Sequence, residues 1–334
     1  MNIPFTQTMG AVVLGTLASF TTANVAHSQV TLRMVGSFPI GPSATAEIGN
    51  RFMEATNRLG EGVVQIRYIG ASDVIPTFDQ PEALVNGIFD VWYGAPNYWA
   101  GVVPGGDFTE LSSLQIPDGG PGHEIYNYLV EMFAEQGVRY LAHAAGDVGV
   151  GTHMLSTNFE VSSVDDLSGT KIRVSPILRH FIEDVGAEPI TLPPSDIFLA
   201  IDRGTVDGFS WPVADNYTNN GWEEVTSYLV DHGMYRSGAS LAMNLEVWNG
   251  LSPEVQDILT EAAQEAQGFA LDWFRETEDT QRERMQAAGM EFLSLSDEAA
   301  AQWTQVANDS QWQYYAEVLG EARAAEVAQL LGRE

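Results

Sequence analysis

The chain has 334 residues, 45% of them hydrophobic, with 45 acidic residues against 15 basic ones, a formal net charge of −30 and no cysteine. That length can bury a substantial core and accommodates two lobes of roughly 100–150 residues each, and the 8 tryptophans, 11 tyrosines and 15 phenylalanines exclude a disordered chain. So acidic a surface disfavours nucleic acid and anionic membranes as partners, and the lack of cysteine excludes disulfides, thiolate metal sites and cysteine nucleophiles.

Residues 11–20, AVVLGTLASF, form an apolar run too short to span a bilayer, and Ala26-His27-Ser28 supplies small residues at a cleavage site. This reads as a secretory leader over 1–28, although no Lys or Arg precedes Arg33. No later stretch approaches 18 consecutive apolar residues, so an exported protein that is not itself membrane-embedded is expected. Leu32 to Phe38 follows as a strand. A helix comes next, with Ile48, Phe52, Ala55 and Leu59 on one face and Gly60 as its stop, and then a second strand from Val63 to Tyr68.

The second half repeats this unit. Lys171 to Val174 reads as a strand, Ser175-Pro176 as a helix opening, and Phe181 to Val185 as later helical turns before Gly186. A closer echo joins Ala83-Leu84-Val85-Asn86-Gly87-Ile88-Phe89-Asp90 to Ala200-Ile201-Asp202-Arg203-Gly204-Thr205-Val206-Asp207, with both the glycines and the aspartates 117 positions apart. Two similar α/β lobes with a cleft between them are the simplest explanation. Beyond them, Ser252-Pro253-Glu254 opens a helix that runs toward Gly289, about 50 Å long at about 1.5 Å per residue, enough to cross both lobes. Ser296 opens another helix, with Trp303, Val306 and Trp312 at apolar positions.

The chemistry-bearing motifs of enzymes are missing: there is no GxSxG, HExxH, P-loop or EF-hand pattern. The histidines at 27, 123, 143, 153, 180 and 232 have no metal-ligand spacing. Lys171 is the only lysine, so cationic recognition falls to arginines, which suit planar, two-pronged contacts to carboxylates. Arg173 stands out, inside an apolar strand and just before a Ser-Pro helix opening, where a guanidinium could grip an anion. Its alternative is an ordinary strand arginine paired with one of the 45 carboxylates. Aromatic residues follow each repeated unit, namely Trp92, Tyr93, Tyr98 and Trp99 after the first and Trp211 after the second. Such residues either wall a cleft or belong to the core.

Three segments in this order, Val164 to Val174 (VDDLSGTKIRV), Gly186 to Pro189 (GAEP) and Asp196 to Gly208 (DIFLAIDRGTVDG), resemble the solute-binding proteins of tripartite ATP-independent periplasmic (TRAP) transporters of the DctP type. The likeness runs from Leu32 through Asn244 to Trp248 and Leu251 to Glu254 into the long helices. It implies an α/β, two-lobed periplasmic-binding-protein fold with a ligand cleft, crossing hinge strands and a long lobe-spanning helix. The expected division is 29–149 with 238–278 as lobe I and 150–237 with 279–334 as lobe II. It further implies capture of a small organic acid, delivery to TRAP permease subunits, and a periplasmic, monomeric protein without enzymatic activity or cofactor. In the family, the arginine at the position of Arg173 holds the ligand carboxylate, and the loop from Tyr93 to Trp99 contributes contacts.

The departures bear on the solute. Many members carry an asparagine about three residues after the Asp-Gly pair, where this chain has Trp211, and His153 stands where sialic-acid-type binders add an arginine. Tyr98, Trp99 and Trp211 look more like the branch that binds 2-oxo and related monocarboxylic acids. A cation held near the second crossing is not expected, because that segment offers Arg236 rather than a carboxylate. The expected site is therefore Arg173 with Trp211 and Tyr98 as walls, Tyr93 at the start of the contacting loop, His153, Asn97 and Ser37 as polar contacts, and Arg236 as a further positive charge. A 2-oxo or 2-hydroxy monocarboxylate comes first and a sugar acid or dicarboxylate second. A periplasmic enzyme acting on such acids, an interaction protein without a ligand, and a component of an ATP-driven importer are the alternatives.

Overall fold

The computed structural model describes Met1 and residues 29–41, 44–111, 120–145 and 151–333; the expected leader and the expected lobe boundary at 149/150 fall outside them. The first half contains β1 (Val30–Gly36), α1 (Ala44–Leu59), β2 (Val64–Gly70), α2 (Gln80–Val85), β3 (Val91–Gly94), α3 (Glu124–Ala134) and β4 (Val138–Ala145). The chain continues with β5 (His153–Thr157), β6 (Lys171–Val174), α4 (Arg179–Asp184), β7 (Glu188–Thr191), α5 (Ile197–Asp202), β8 (Gly208–Pro212), β9 (Tyr228–Val230) and β10 (Gly238–Asn244). It ends with α6 (Leu245–Gly250), α7 (Pro253–Ala287), β11 (Glu291–Leu293), α8 (Asp297–Leu319) and α9 (Glu321–Leu330).

These strands make two sheets, ordered β2-β1-β3-β10-β4 and β11-β9-β5-β8-β6-β7. The internal repeat has a clear physical basis. In the first sheet Asp90 N–H donates to the Arg33 carbonyl at 2.9 Å while the Asp90 carboxylate accepts from Arg33 N–H at 2.7 Å. In the second, Asp207 N–H donates to the Lys171 carbonyl at 2.7 Å and its carboxylate accepts from Lys171 N–H at 2.8 Å. Each aspartate thus fastens the start of one parallel strand to its neighbour, and Gly87 (φ 72°) and Gly204 (φ 64°) supply the left-handed turn that ends the preceding helix. By this register Arg173 corresponds to Val35, a core residue, so the repeat places a cation in the second lobe alone.

Each sheet holds a strand antiparallel to both of its neighbours: β10 lies between β3 and β4, and β5 between β8 and β9. The strands therefore pass from one sheet to the other twice, from β4 to β5 and from β9 to β10. The crossings meet at a Thr152–Arg236 bridge, where Ser237 N–H donates to the Gly151 carbonyl at 2.7 Å. Ser252 caps α7 through Val255 N–H, and Pro253 occupies its first turn. The alanine face of α7 (Ala262, Ala263, Ala266) packs with Ile48, Phe52 and Ala55 of α1 in the first lobe, whereas Met285 near its end lies in a second-lobe core. Between these ends, Glu278 accepts from Gly151 N–H at 2.5 Å, tying the helix to the crossing.

Two expectations change. All of 279–334 was expected in lobe II; the end of α7 (Met285), β11 and the early part of α8 (Trp303, Ala307) pack there, but Tyr315, Val327 and Leu331 belong to the aromatic core of the first lobe. The C-terminal helices thus bridge both bodies. Ser175-Pro176 opens a tight 3-10 turn over Pro176–Leu178 rather than an α-helix, and α4 has only six residues, so little helix dipole reaches Arg173.

Candidate functional site

β6 buries Ile172 and Val174 in the second-lobe core and carries Arg173 between them. The Arg173 side chain is itself fully buried. Its Nε and Nη2 donate to the Leu192 carbonyl at 3.0 and 2.8 Å, and its Nη1 donates to the Ser210 carbonyl at 3.2 Å, with Ser175 Oγ at 3.5 Å. The guanidinium carbon lies 5.3 Å from the Trp211 ring. All these partners are neutral, and among the described residues no carboxylate pairs with Arg173. Burial lowers its pKa to about 10, which leaves it charged at neutral pH. A buried ion without a counter-ion is costly, so the arrangement calls for an anion from outside.

The surroundings supply directional groups and aromatic faces. Tyr98, in the turn Pro96–Trp99 of the first lobe, sits beside the guanidinium; burial raises its hydroxyl pKa, with Arg173 opposing, so it remains a donor. His153 begins β5, and burial together with the Arg173 charge pulls its pKa down to about 3. The imidazole is neutral, and among the described residues its buried Nδ1 has no partner, nor do Ser210 Oγ and Asn97 Oδ1. Asn97 Nδ2 donates to the buried Glu110 carboxylate at 3.0 and 3.3 Å, which fixes the amide. Phe38 spans the gap between lobes, its ring 6.2 Å from Tyr98 and 5.9 Å from Trp211. Beside Trp211 opens a cavity of about 340 Å³, lined among others by Ser37, Phe38, Thr77, Asp215 and Asn216. Among the described residues no three His, Asp or Glu side chains converge as a metal site requires, and no helix is long and apolar enough to cross a membrane.

A family profile described as bacterial extracellular solute-binding protein, family 7 (DctP) matches residues 43–318. The chain belongs to this family. A monocarboxylate 2-oxoacid-binding periplasmic protein of Nostoc sp. is 25% identical over 299 residues, covering 84% of this chain and 80% of that relative. Among solved structures, a TRAP periplasmic solute-binding protein from Roseobacter denitrificans with bound L-galactonate matches with TM-score 0.76 at 20% identity, over 91% of this chain and 98% of that one. Another, from Desulfovibrio salexigens with bound orotic acid, gives 0.78 at 19% identity over 90% and 97%. The two-lobed binding-protein fold is thereby established.

Within this family-7 fold, Arg173, Trp211, Tyr98 and His153 meet at one place, with Asn97 next to Tyr98. Ser37 lines the adjoining cavity, but its hydroxyl donates to Gln80 Oε1 at 3.2 Å. Tyr93 is a core residue instead. Its ring fills the space that side chains at Gly36 and Gly49 would occupy, and its hydroxyl donates to the Phe38 carbonyl at 2.6 Å, which supports the loop bearing Phe38. Arg236 lies buried in the paired crossings, where its N–H donates to the Glu110 carbonyl at 2.8 Å. The sequence reading missed Phe38, whose signal is its place directly after the first strand. It also missed an interlobe contact in which Thr45 N–H and Oγ donate to the Asp215 carboxylate at 3.3 and 3.2 Å, which only the tertiary fold reveals.

Proposed function

We propose that this family-7 protein is a periplasmic TRAP-type binding protein that captures a small organic monocarboxylate between its lobes and delivers it, as a monomer, to membrane permease subunits. The observation that carries this reading is the fully buried Arg173 guanidinium with neutral partners alone among the described residues. A ligand carboxylate supplies the missing counter-ion as a planar, two-pronged partner. Trp211, Tyr98 and Phe38 enclose it, and His153 and Asn97 present hydrogen-bonding atoms that have no partner among the described residues. Closure is a hinge motion about the paired crossings, with 29–149 and 238–278 forming the core of one lobe and 150–237 that of the other.

The charge around the cavity supports one carboxylate rather than two. Asp215 lines it and, among the described residues, no Lys or Arg does, so a second anionic group would meet a like charge at low dielectric. The Nostoc relative is named for 2-oxoacids, and the two solved structures hold L-galactonate and orotic acid. No bond is made or broken in this reading.

Calorimetry with a panel of 2-oxo, 2-hydroxy, aromatic and sugar acids tests it. Truncating one member of a buried charge pair costs about 2–5 kcal/mol, so Arg173→Ala weakens the best acid by more than about thirtyfold. Unchanged affinity in that variant, or conversion of an acid to product by the purified protein, overturns the proposal.

A further inference from the structure

Two buried carboxylates lie where the lobes join. Asp107 directly precedes the tight turn Phe108–Leu111, which contains Glu110, and Glu110 N–H donates to the Asp107 carbonyl at 2.8 Å. Asp107 is 3% exposed and Glu110 1%. Their side-chain partners are neutral: the Tyr315 hydroxyl donates to Asp107 Oδ1 at 2.9 Å, and Asn97 Nδ2 donates to both oxygens of Glu110. Among the described residues neither carboxylate has a cationic partner. Arg236 reaches Glu110 through its backbone N–H, which donates to the Glu110 carbonyl. The other titratable groups facing the pair are Tyr98 and Tyr140 toward Glu110 and Tyr235, Tyr314 and Tyr315 toward Asp107, all held neutral chiefly by burial. Two like charges enclosed in this way favour their protonated forms. Burial raises Asp107 to about 6, and burial with the Asp107 charge raises Glu110 well above its ordinary value.

The cover over this pair comes from both lobes. Leu111, next to Glu110, packs against the aromatic core of the first lobe and against the core around Trp303 in the second. Tyr235, which faces Asp107, belongs to that second-lobe core and donates its hydroxyl to the Ala307 carbonyl of α8. Arg236 lies in the second crossing itself. A hinge motion about the crossings therefore changes what encloses the pair, and opening lets water reach it. We infer that Asp107 and Glu110 form a proton-linked hinge latch: closure over an acid takes up protons on this carboxylate pair, so that a more acidic medium favours the closed, loaded protein. This rests on the reading of Arg173 as the anchor of the captured acid, and it adds how capture is regulated. The direction follows from linkage, because the closed form binds more protons than the open one and gains population as pH falls. For Asp107 alone, a rise from 3.8 when wetted to about 6 when enclosed favours closure about fourfold more at pH 5.5 than at pH 7.5. His153 acts in the opposite sense: burial holds it near 3, so closure expels a proton from it if the open cleft wets it. The difference between the parent protein and a carboxyl variant isolates the pair.

The test is calorimetry of the full chain with whichever of pyruvate, 4-methyl-2-oxopentanoate, L-lactate, benzoate and D-galacturonate binds best, in buffers of unequal ionisation enthalpy, which counts the protons taken up. At pH 6 the parent takes up at least about half a proton more per acid bound than Asp107→Asn or Glu110→Gln, each of which keeps an oxygen to accept the existing hydrogen bond. Between pH 7.5 and pH 5.5 its affinity relative to either variant rises at least about threefold. Where a variant fails to fold, carboxyl-carbon NMR of the parent decides: two carboxyl midpoints move up when the protein is saturated with the acid. Equal proton counts in parent and variants, or carboxyl midpoints that the acid leaves unmoved, overturn this inference. If an acid binds in an Arg173-dependent way with equal proton counts, the anchor stands and the latch falls; if no acid binds, both fall.

Discussion

Asp215 follows β8 of the second lobe, yet its carboxylate accepts from the N–H and hydroxyl of Thr45, the second residue of α1 in the first lobe. One lobe therefore caps a helix of the other, and this contact exists only while the lobes are closed. A capping side chain contributes about 0.5–2 kcal/mol, and a carboxylate at a helix N-terminus adds about 0.3–1 kcal/mol. Asp215→Ala thus shifts the closed-open balance by about 1–2 kcal/mol and weakens every bound acid by about five- to thirtyfold. Stopped-flow tryptophan fluorescence separates the rates: dissociation accelerates while association changes little. The sign is diagnostic, because an Asp215 acting through its charge alone would repel an anion, and its removal would tighten binding. Thr45→Val removes one partner, so the double variant loses less than the sum of the single ones. Tighter binding, an unchanged dissociation rate, or full additivity in that cycle refutes the capping argument.

Burial holds His143 neutral with a pKa of about 4 and His153 with about 3, against an ordinary value of about 6.5, so the unfolded chain takes up protons that the folded one refuses. Stability therefore falls as pH drops below about 6.5, by about 2 kcal/mol per imidazole at pH 5, while Asp107, raised to about 6, and Glu110, also raised, act in the opposite sense and offset part of the loss. His143→Gln reduces the fall between pH 7 and 5 by about 2 kcal/mol in denaturant melts; a profile parallel to that of the parent protein contradicts this. The two strand-fastening aspartates differ in surroundings: Asp90 is 8% exposed and pairs with Arg33 through both carboxylate oxygens, whereas Asp207 is exposed and bonds Lys171 N–H. Asp90→Ala accordingly costs about 2–3 kcal/mol and Asp207→Ala about 1 kcal/mol, and thermal melts giving the reverse order would falsify the assignment.

What the sequence made legible follows from local rules. The Gly-x-x-Asp echo carried the two-lobe architecture, because a left-handed glycine and a strand-fastening carboxylate are each local demands. Ser252-Pro253 and Gly289 likewise bracketed α7, which ends at Ala287. Arg173 was legible as a charge inside an apolar strand. Tyr93 misled because an aromatic residue at the end of a strand can turn to the cleft or to the core, and the choice was made by the space at Gly36 and Gly49, distant in sequence. Thr45 with Asp215, 170 positions apart, left no periodic trace. The return of α8 and α9 to the first lobe was equally hidden, since Trp303 and Tyr315 lie on one continuous helix whose two ends meet different cores.

In the proposed reading, Arg173 also accounts for how so acidic a protein would hold an anion. Attraction cannot come from the net charge of −30; it resides in one guanidinium at short range, where salt screens little. That charge is a burden in the empty protein. Its fall from an ordinary pKa of 12.5 to about 10 corresponds to about 3 kcal/mol against the charged form, with burial as the leading cause. Arg173→Met removes this penalty and keeps much of the volume, at the expense of the hydrogen bonds to the Leu192 and Ser210 carbonyls. The net expectation is a ligand-free protein more stable by about 1–2 kcal/mol that no longer binds acids. Calorimetric melting without added acid reads the first half and titration the second. A variant that loses binding and also melts several degrees lower would mean that the guanidinium serves the fold, and that its want of a counter-ion says nothing about a ligand.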